Sequence, residues 1–203
     1  DAERLRAALR AAHRTFEAEA YYRARYSDRG ARFAGTDSAW LVTLGDLPAD
    51  GCLGQVAWLS RVLATRGMPS WLLERHLGDL TAELEAACGA GAAGTLPDAA
   101  AQLRSTRVAV VADQELDRAP GRLLEESGAP EPLAGAAALV LAAAADVAAG
   151  VTGSWAPCVD WLTDADRCDP DAATWLRAEA ARIAPDGGVS AGRSRGRSRA
   201  LRS

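Results

Sequence analysis

The side chains of this sequence are mostly those that favour helices. Alanine, leucine, arginine and glutamate are abundant, whereas Ile183 is the one isoleucine and the chain has only 2 phenylalanines and 3 tyrosines. Unbranched side chains lose little rotamer freedom in a helix, so this composition favours helix over strand. The chain has 203 residues and 49% are hydrophobic, which is enough for a sizeable core. We therefore predict an all-α protein, a single-domain bundle of about seven to nine helices.

The residue types that are absent restrict the chemistry. The chain has no lysine and no asparagine, and all 23 of its basic residues are arginine, a bias typical of a GC-rich bacterial genome. Without lysine there is no Schiff-base amine, and any histidine mechanism must use His13 or His76. No complete catalytic motif is present, and no spacing singles out a pair of acidic residues. We expect a non-catalytic protein, with an enzyme as the third alternative.

The charge is distributed unevenly along the chain. Five arginines follow Gly192, whereas residues 1–192 hold 18 arginines against 27 acidic residues. An acidic body repels phosphate backbones, so we expect no specific nucleic-acid partner. Residues 190–203 are rich in glycine, serine and arginine and are predicted to be a disordered tail after an all-α domain of residues 1–189.

Neither a membrane segment nor a secretory signal is predicted. The longest apolar run, residues 133–150, contains Asp146 and is marginally short for a membrane span, so it indicates a buried helix. Residues 1–26 are charged throughout, unlike a signal peptide. The 4 cysteines are expected to be reduced thiols in a cytoplasmic protein. Cys158 and Cys168 lie in an acidic stretch, but their spacing matches no zinc site.

The apolar spacing and the turn residues predict the individual helices. These cover residues 2–26, 36–44, a segment ending near 66, 70–88, 97–117, a short piece after 120, 132–149 and 170–184. Residues 26–33 are predicted to interrupt the first of them. The glycine-rich residues 89–95 form a link that could divide two subdomains. Asp169 is predicted to cap the last helix.

His76 is the most informative candidate for a site. It shares a helix face with four leucines, which are Leu73, Leu77, Leu80 and Leu84. Its imidazole should therefore point into the interior or into a pocket. A neutral imidazole in apolar surroundings can bind haem iron. The alternative is a hydrogen-bonded core histidine with a structural role.

Phe33 precedes His76 by 43 residues in a helical chain. This spacing over residues 1–150 resembles that of the globins, in which a phenylalanine at a helical corner precedes the proximal histidine. The resemblance implies a globin-like fold with His76 as the iron ligand. No second histidine lies between the two residues, and His76 lies within a helix rather than near its end. A haem-free, globin-like sensor therefore also remains open.

Six tryptophans against two phenylalanines are unusual for a chain of this size. Trp40, Trp58 and Trp71 lie on or at the start of three consecutive helices, and we predict that they line one cavity with His76 and Phe33. Large aromatic side chains line ligand pockets, although they also fill cores. Trp155, Trp161 and Trp175 form a second group near the C-terminus.

The sequence thus predicts a sensory or regulatory helical domain. Its ligand would be a hydrophobic small molecule, with haem or another tetrapyrrole as the specific hypothesis, bound by His76, Trp40, Trp58, Trp71 and Phe33. The alternative is a helical protein-protein interaction or homodimerisation module that has no small-molecule ligand. An exposed apolar patch would favour the second hypothesis.

Overall fold

The computed structural model describes residues 2–185, and within this range it is helical with no strand. The helices are α1 (Ala2–Ala18), α2 (Ala20–Leu44), α3 (Ala49–Ala64), α4 (Ser70–Cys88), α5 (Leu96–Val108), α6 (Asp113–Ser127), α7 (Ala136–Ala148) and α8 (Pro170–Ile183), with a π-helical turn at Ala156–Asp160. The prediction of an all-α fold is confirmed. The predicted tail at 190–203 lies outside the described residues.

The first two helices differ from the prediction of one helix over residues 2–26. The chain leaves the helix at Glu19, which has φ −94° and ψ 103°, and α2 begins at the next residue. The predicted interruption at 26–33 is a single residue, because only Ser27 in α2 leaves helical geometry (φ 46°, ψ −152°). Residues 36–44 are therefore the end of a longer helix.

The predicted helix over residues 97–117 is wrong, because α5 ends at Val108 and α6 begins at Asp113. Two side chains satisfy the backbone groups of the turn between them. The Arg107 guanidinium donates to the Val111 carbonyl at 3.0 Å, and the Glu115 carboxylate accepts from the Ala112 amide at 3.0 Å. These partners stabilise a break that the apolar spacing does not reveal.

The ends of α4 and α8 follow from local chemistry. Helix α4 covers the predicted residues, with Gly89 after its last turn at φ 93°. Asp169 caps α8 as predicted, since its carboxylate accepts from the Asp171 and Ala172 amides at 2.8 and 3.4 Å. No neighbouring residue in sequence caps the first turn of α4. Instead, Asp146 of α7 accepts from the Ser70 amide at 2.9 Å and from its hydroxyl.

Two groups of buried apolar residues form the core. The N-terminal cluster comes mainly from α1 to α5 and contains Ala7, Ala8, Ala11, Leu41, Val42, Leu44, Cys52, Val56, Leu59, Leu73, Leu77, Leu80, Leu84, Ala93, Leu96 and Ala99. The C-terminal cluster comes mainly from α6, α7, the π-helical turn and α8 and contains Tyr21, Leu72, Val111, Leu116, Ala119, Leu123, Ala129, Ala136, Ala137, Ala138, Leu139, Val140, Leu141, Ala143, Ala144, Ala145, Trp155, Cys158, Val159, Leu162, Cys168, Ala172, Leu176, Ala180 and Ala184.

The glycine-rich residues 89–95 pack against the end of α2. Gly94 has φ +57°, and a Cβ on it would lie 2.0 Å from the Gly45 carbonyl oxygen, so this approach requires glycine. The following helix, α5, contributes Leu96 and Ala99 to the N-terminal cluster. Within residues 2–185, no helix combines the length and the apolar character needed to cross a bilayer.

Candidate functional site

A cavity of about 110 Å³ lies among α1, α2, α3 and α4. Its apolar walls come from both sides of the core. Leu41, Leu59 and Leu73 belong to the N-terminal cluster. Tyr26 and Met68, which also line it, pack against the C-terminal cluster. The cavity therefore lies at the border between the two clusters.

Four aromatic side chains line this cavity. Phe16 and Tyr22 stack with ring centroids 6.2 Å apart and an interplanar angle of 9°, and Tyr22 meets Tyr26 at 6.2 Å. Phe33, the fourth, is 56% exposed and marks the solvent side of the wall. Gly30 makes room for this arrangement, because a Cβ there would lie 2.6 Å from the Tyr26 Cβ and 3.1 Å from the Phe16 ring. These faces suit a flat apolar group.

His76 is buried at the cavity wall, as the leucine pattern predicts, with 9% of its surface exposed. Both ring nitrogens have hydroxyl partners: Nδ1 lies 2.9 Å from Thr15 Oγ1 and Nε2 lies 2.8 Å from Ser38 Oγ. Burial lowers the pKa of His76 to about 4, although the Asp79 carboxylate opposes this shift. The imidazole is therefore neutral at pH 7.

The protons around His76 can be counted. The Thr15 hydroxyl donates to Asp79 Oδ2 at 2.9 Å, and the Ser38 hydroxyl donates to the Ala34 carbonyl at 2.7 Å. Each hydroxyl has one proton and a neutral imidazole has one N–H, so three protons serve four contacts. With the proton on Nδ1, the link through Thr15 to Asp79 is complete. The Ser38 proton is then shared between Nε2 of His76 and the Ala34 carbonyl.

Ion pairs surround this hydrogen-bonded chain between α1 and α4. The buried Glu83 carboxylate accepts from Arg10 at 2.8 Å and also pairs with Arg14. The Glu19 carboxylate pairs with Arg75 at 2.5 Å, and burial raises the pKa of Glu19. Glu83 and Glu19 therefore each have an arginine partner. Asp79 instead accepts a hydrogen bond from the Thr15 hydroxyl and has no ion pair among the described residues.

Asp37 and Tyr22 are different, because they line the cavity with unused hydrogen-bonding capacity. Among residues 2–185, no side chain or backbone group pairs with the Asp37 carboxylate or hydrogen-bonds to the Tyr22 hydroxyl. Burial raises the pKa of Asp37, and Arg66 opposes the shift from a distance. Burial also raises the pKa of Tyr22; the charges of Glu19 and Asp37 add to that shift, and the Arg75 charge opposes it. Tyr22 and Asp37 therefore lie close enough to interact electrostatically.

The structure brings together only some of the predicted site residues. His76 and Phe33 line the cavity, whereas Trp40, Trp58 and Trp71 are not among its lining residues. Trp40 packs against the N-terminal cluster and meets the Trp58 ring at 6.3 Å. Trp71 packs against the C-terminal cluster, with the Arg75 guanidinium 4.9 Å from its ring.

The cavity does not fit a tetrapyrrole. Pockets that enclose drug-sized ligands have volumes of about 300–1,000 Å³, several times the volume present here. Iron coordination by His76 would also require Nε2 to lose its contact with Ser38 at 2.8 Å. We therefore derive no haem chemistry from this site. Within residues 2–185, no group of three or more histidine, cysteine or acidic side chains is arranged to hold a metal ion.

Of the lining residues that sequence reasoning missed, the aromatic and acidic ones are Phe16, Tyr22, Tyr26 and Asp37. A signal was available, since Tyr22, Tyr26, Gly30 and Phe33 follow one another at spacings of three and four residues. The predicted interruption over residues 26–33 divides this series, so the sequence does not place these residues on one helix face. His13, the other histidine, is exposed on α1.

No protein-family model matches the chain, and no curated protein or solved structure is significantly similar to it.

Proposed function

We propose that this protein is a regulatory helical domain that binds a small apolar molecule, about the size of one aromatic ring, in the cavity among α1 to α4. The observation that carries this proposal is the aromatic wall of Phe16, Tyr22 and Tyr26 around about 110 Å³ of space beside the neutral His76. An apolar cavity of about 150 Å³ is large enough for benzene. The cavity of this protein is smaller but open to solvent beside Phe33, so one ring can lie in it with a short substituent at the open side.

The position of the cavity supports a regulatory role. Its walls include Leu73 of the N-terminal cluster and Met68, which packs against the C-terminal cluster. A ligand that contacts both would stabilise the folded state, in which they are associated, by an amount that rises with the logarithm of its concentration relative to its Kd. The proposal includes a cytoplasmic location, because all 4 cysteines are free thiols.

Thermal unfolding with and without toluene tests this function. Ala34 lines the cavity, so Ala34→Leu should fill part of it. Ala31 is exposed on the same helix, so Ala31→Leu is the matched control. We expect toluene to raise the Tm of the wild type and of Ala31→Leu, and to leave that of Ala34→Leu unchanged. Equal responses of all three proteins, or no response of the wild type, would contradict the proposal.

A second candidate function is supported by one exposed side chain. Trp58 is 52% exposed on α3, and Gly51, one heptad earlier on the same helix, is also exposed. Tryptophan is enriched among the residues that contribute most of the binding energy at protein interfaces. The candidate is self-association or a protein partner at this face.

Sedimentation analysis over a range of concentrations tests the second candidate. Trp58→Ala should shift the protein towards monomer. Leu124→Ala removes another exposed apolar side chain, on α6, and should have no effect. A concentration-independent monomer for the wild type would remove self-association from consideration.

A further inference from the structure

Among residues 2–185, Asp37 is the one acidic side chain that lines the cavity, and no arginine of this range lines it. Within the described part of the chain its carboxylate has neither an ion pair nor a hydrogen bond. A partly buried carboxylate without a partner is costly, and the cost falls when a cation or a strong donor approaches. The polar end of the cavity therefore favours a positively charged ligand group.

The aromatic walls favour the same charge. The faces of phenylalanine and tyrosine rings attract cations that lie within about 6 Å of the ring centroid. Two of the rings that line the cavity already have an arginine beside them. The Arg25 guanidinium lies 5.4 Å from the centre of the Tyr26 ring, and the Arg29 guanidinium lies 5.6 Å from the centre of the Phe33 ring. The Tyr22 hydroxyl, near Asp37, offers an additional oxygen acceptor.

His76 does not oppose a cation at this site. It carries no charge at pH 7, and its two nitrogens are occupied by Thr15 and Ser38. The imidazole therefore contributes a flat, uncharged surface to the wall. Leu41, Leu59 and Leu73, which also line the cavity, are apolar.

The volume limits the body of the ligand. At about 110 Å³ the cavity is smaller than the cavity of about 150 Å³ that holds benzene, so with its open side it has room for one six-membered ring and not for two fused rings. We propose that the cavity selects a small aromatic amine in its cationic form, with the ring against Phe16, Tyr22 and Leu73 and the ammonium group at the Asp37 carboxylate. The inference rests on the proposed function, and it adds the chemical class of the ligand.

Three probes of similar size separate the contributions of ring and charge: benzylamine, benzyl alcohol and benzoate. In calorimetric titrations of the full chain at pH 7, we expect benzylamine to bind at least about tenfold more tightly than benzyl alcohol. Benzoate should bind most weakly. A preference for benzyl alcohol or benzoate would overturn the inference.

Asp37→Asn identifies the group responsible for the preference. The variant should lose at least about tenfold in affinity for benzylamine and keep its affinity for benzyl alcohol. Asp117→Asn makes the same change of net charge at an exposed site on α6 and should leave both affinities unchanged. An unaltered preference for benzylamine in Asp37→Asn would overturn the assignment of this carboxylate.

The same titrations distinguish this inference from the proposed function. If none of the probes binds, both fail. If benzyl alcohol binds as tightly as benzylamine, the cavity takes rings without regard to charge, and only the amine assignment fails. Circular dichroism of each variant confirms that the helices are retained.

Discussion

The two clusters of the core are packed with different kinds of side chain. In the C-terminal cluster, every residue of α7 from Ala136 to Asp146 is buried, and most are alanine. Small side chains allow the backbones of neighbouring helices to approach closely. The N-terminal cluster is built from leucines on several helices, and the cavity lies at its edge. Where large side chains from four helices meet, the space between them is not filled.

Beside each cluster lies a buried ionisable group that belongs to α4 or contacts it and that has no ion-pair partner among the described residues. His76 lies on the α4 face of the N-terminal cluster, and burial lowers its pKa to about 4. Asp146 lies on α7 in the C-terminal region, and burial raises its pKa to about 6, although hydrogen bonds from Ser70 oppose the shift. Both groups favour the neutral form in the folded state. They therefore make opposite contributions to the pH dependence of stability.

The largest effect should come from cutting the ionic link between the clusters. The Arg107 guanidinium of α5 makes two hydrogen bonds to Glu74 of α4, at 2.8 and 2.9 Å, and one of 2.5 Å to Asp113 of α6. Removal of one partner from a buried ion pair costs about 3–5 kcal/mol. Arg107→Leu should lower the free energy of unfolding by this amount in chemical denaturation.

Arg118→Leu is the control for Arg107→Leu, because Arg118 is exposed on α6. It should change stability by less than about 0.5 kcal/mol. Equal effects of the two variants would show that the ion pairs of Arg107 do not join the helices.

The next largest effect is on the pH dependence of stability, to which His76 and Asp146 contribute in opposite directions. The unfolded chain protonates His76 near its ordinary pKa of 6.5, whereas the folded state resists this down to about 4. His76 therefore lowers stability as the pH falls through this window. Asp146 in the folded state keeps its proton up to about 6, above its ordinary 3.8, so it lowers stability as the pH rises from about 4 to 6.

Two neutral substitutions separate these contributions. Relative to wild type, His76→Gln should be less sensitive to acid, and Asp146→Asn should be less sensitive to a rise from pH 4 to 6. Shifts of this size correspond to about 3 kcal/mol each across the window. Urea denaturation at several pH values measures both slopes. Slopes that change in the same direction would contradict the assignment.

The same substitution should have opposite effects in the two regions. Ala143 is completely buried in α7, so Ala143→Leu should overpack the C-terminal cluster and cost about 1–3 kcal/mol. Ala34 borders the cavity, so Ala34→Leu should leave stability unchanged or raise it by less than about 1 kcal/mol. Denaturation midpoints test this pair. A larger loss for Ala34→Leu than for Ala143→Leu would invert the comparison.

The smallest effect concerns the point where α2 passes from one cluster to the other. Tyr21 lies in the C-terminal cluster and Leu41 in the N-terminal cluster, and Ser27 between them has φ 46°. Glycine adopts this conformation without strain, so Ser27→Gly should stabilise the protein by about 1 kcal/mol. Ser105→Gly, in regular α5, should destabilise it by about 0.5–1 kcal/mol. Loss of stability in both variants would contradict the interpretation that the positive φ of Ser27 is strained.

Most helices could be predicted because their ends are determined locally. Pro69 and Gly89 flank α4, and Asp169 caps α8, so their limits are readable from neighbouring residues. The breaks at Glu19 and Ser27 have no glycine or proline. The chain bends there as Tyr21 reaches the core, where its hydroxyl donates to the Gly67 carbonyl at 2.5 Å. A contact across 46 residues of sequence leaves no local signal.

The candidate site, like the helix ends, was predictable only where neighbouring residues provide the signal. The leucine spacing around His76 predicts its burial, but its partners Thr15 and Ser38 are 61 and 38 residues away in sequence. Tryptophan content indicated a cavity near His76, yet Trp58 is exposed instead. A large aromatic side chain suits a core, a pocket or an interface, and composition alone does not distinguish them.

The most direct test of the account is a crystal structure of the protein soaked with benzylamine. We expect ring density between Phe16, Tyr22 and Leu73, with the nitrogen within hydrogen-bond distance of the Asp37 carboxylate, and none in crystals of Ala34→Leu. A closed cavity, or a ring bound only elsewhere on the protein, would contradict the central claim that the border between the two clusters is a ligand site.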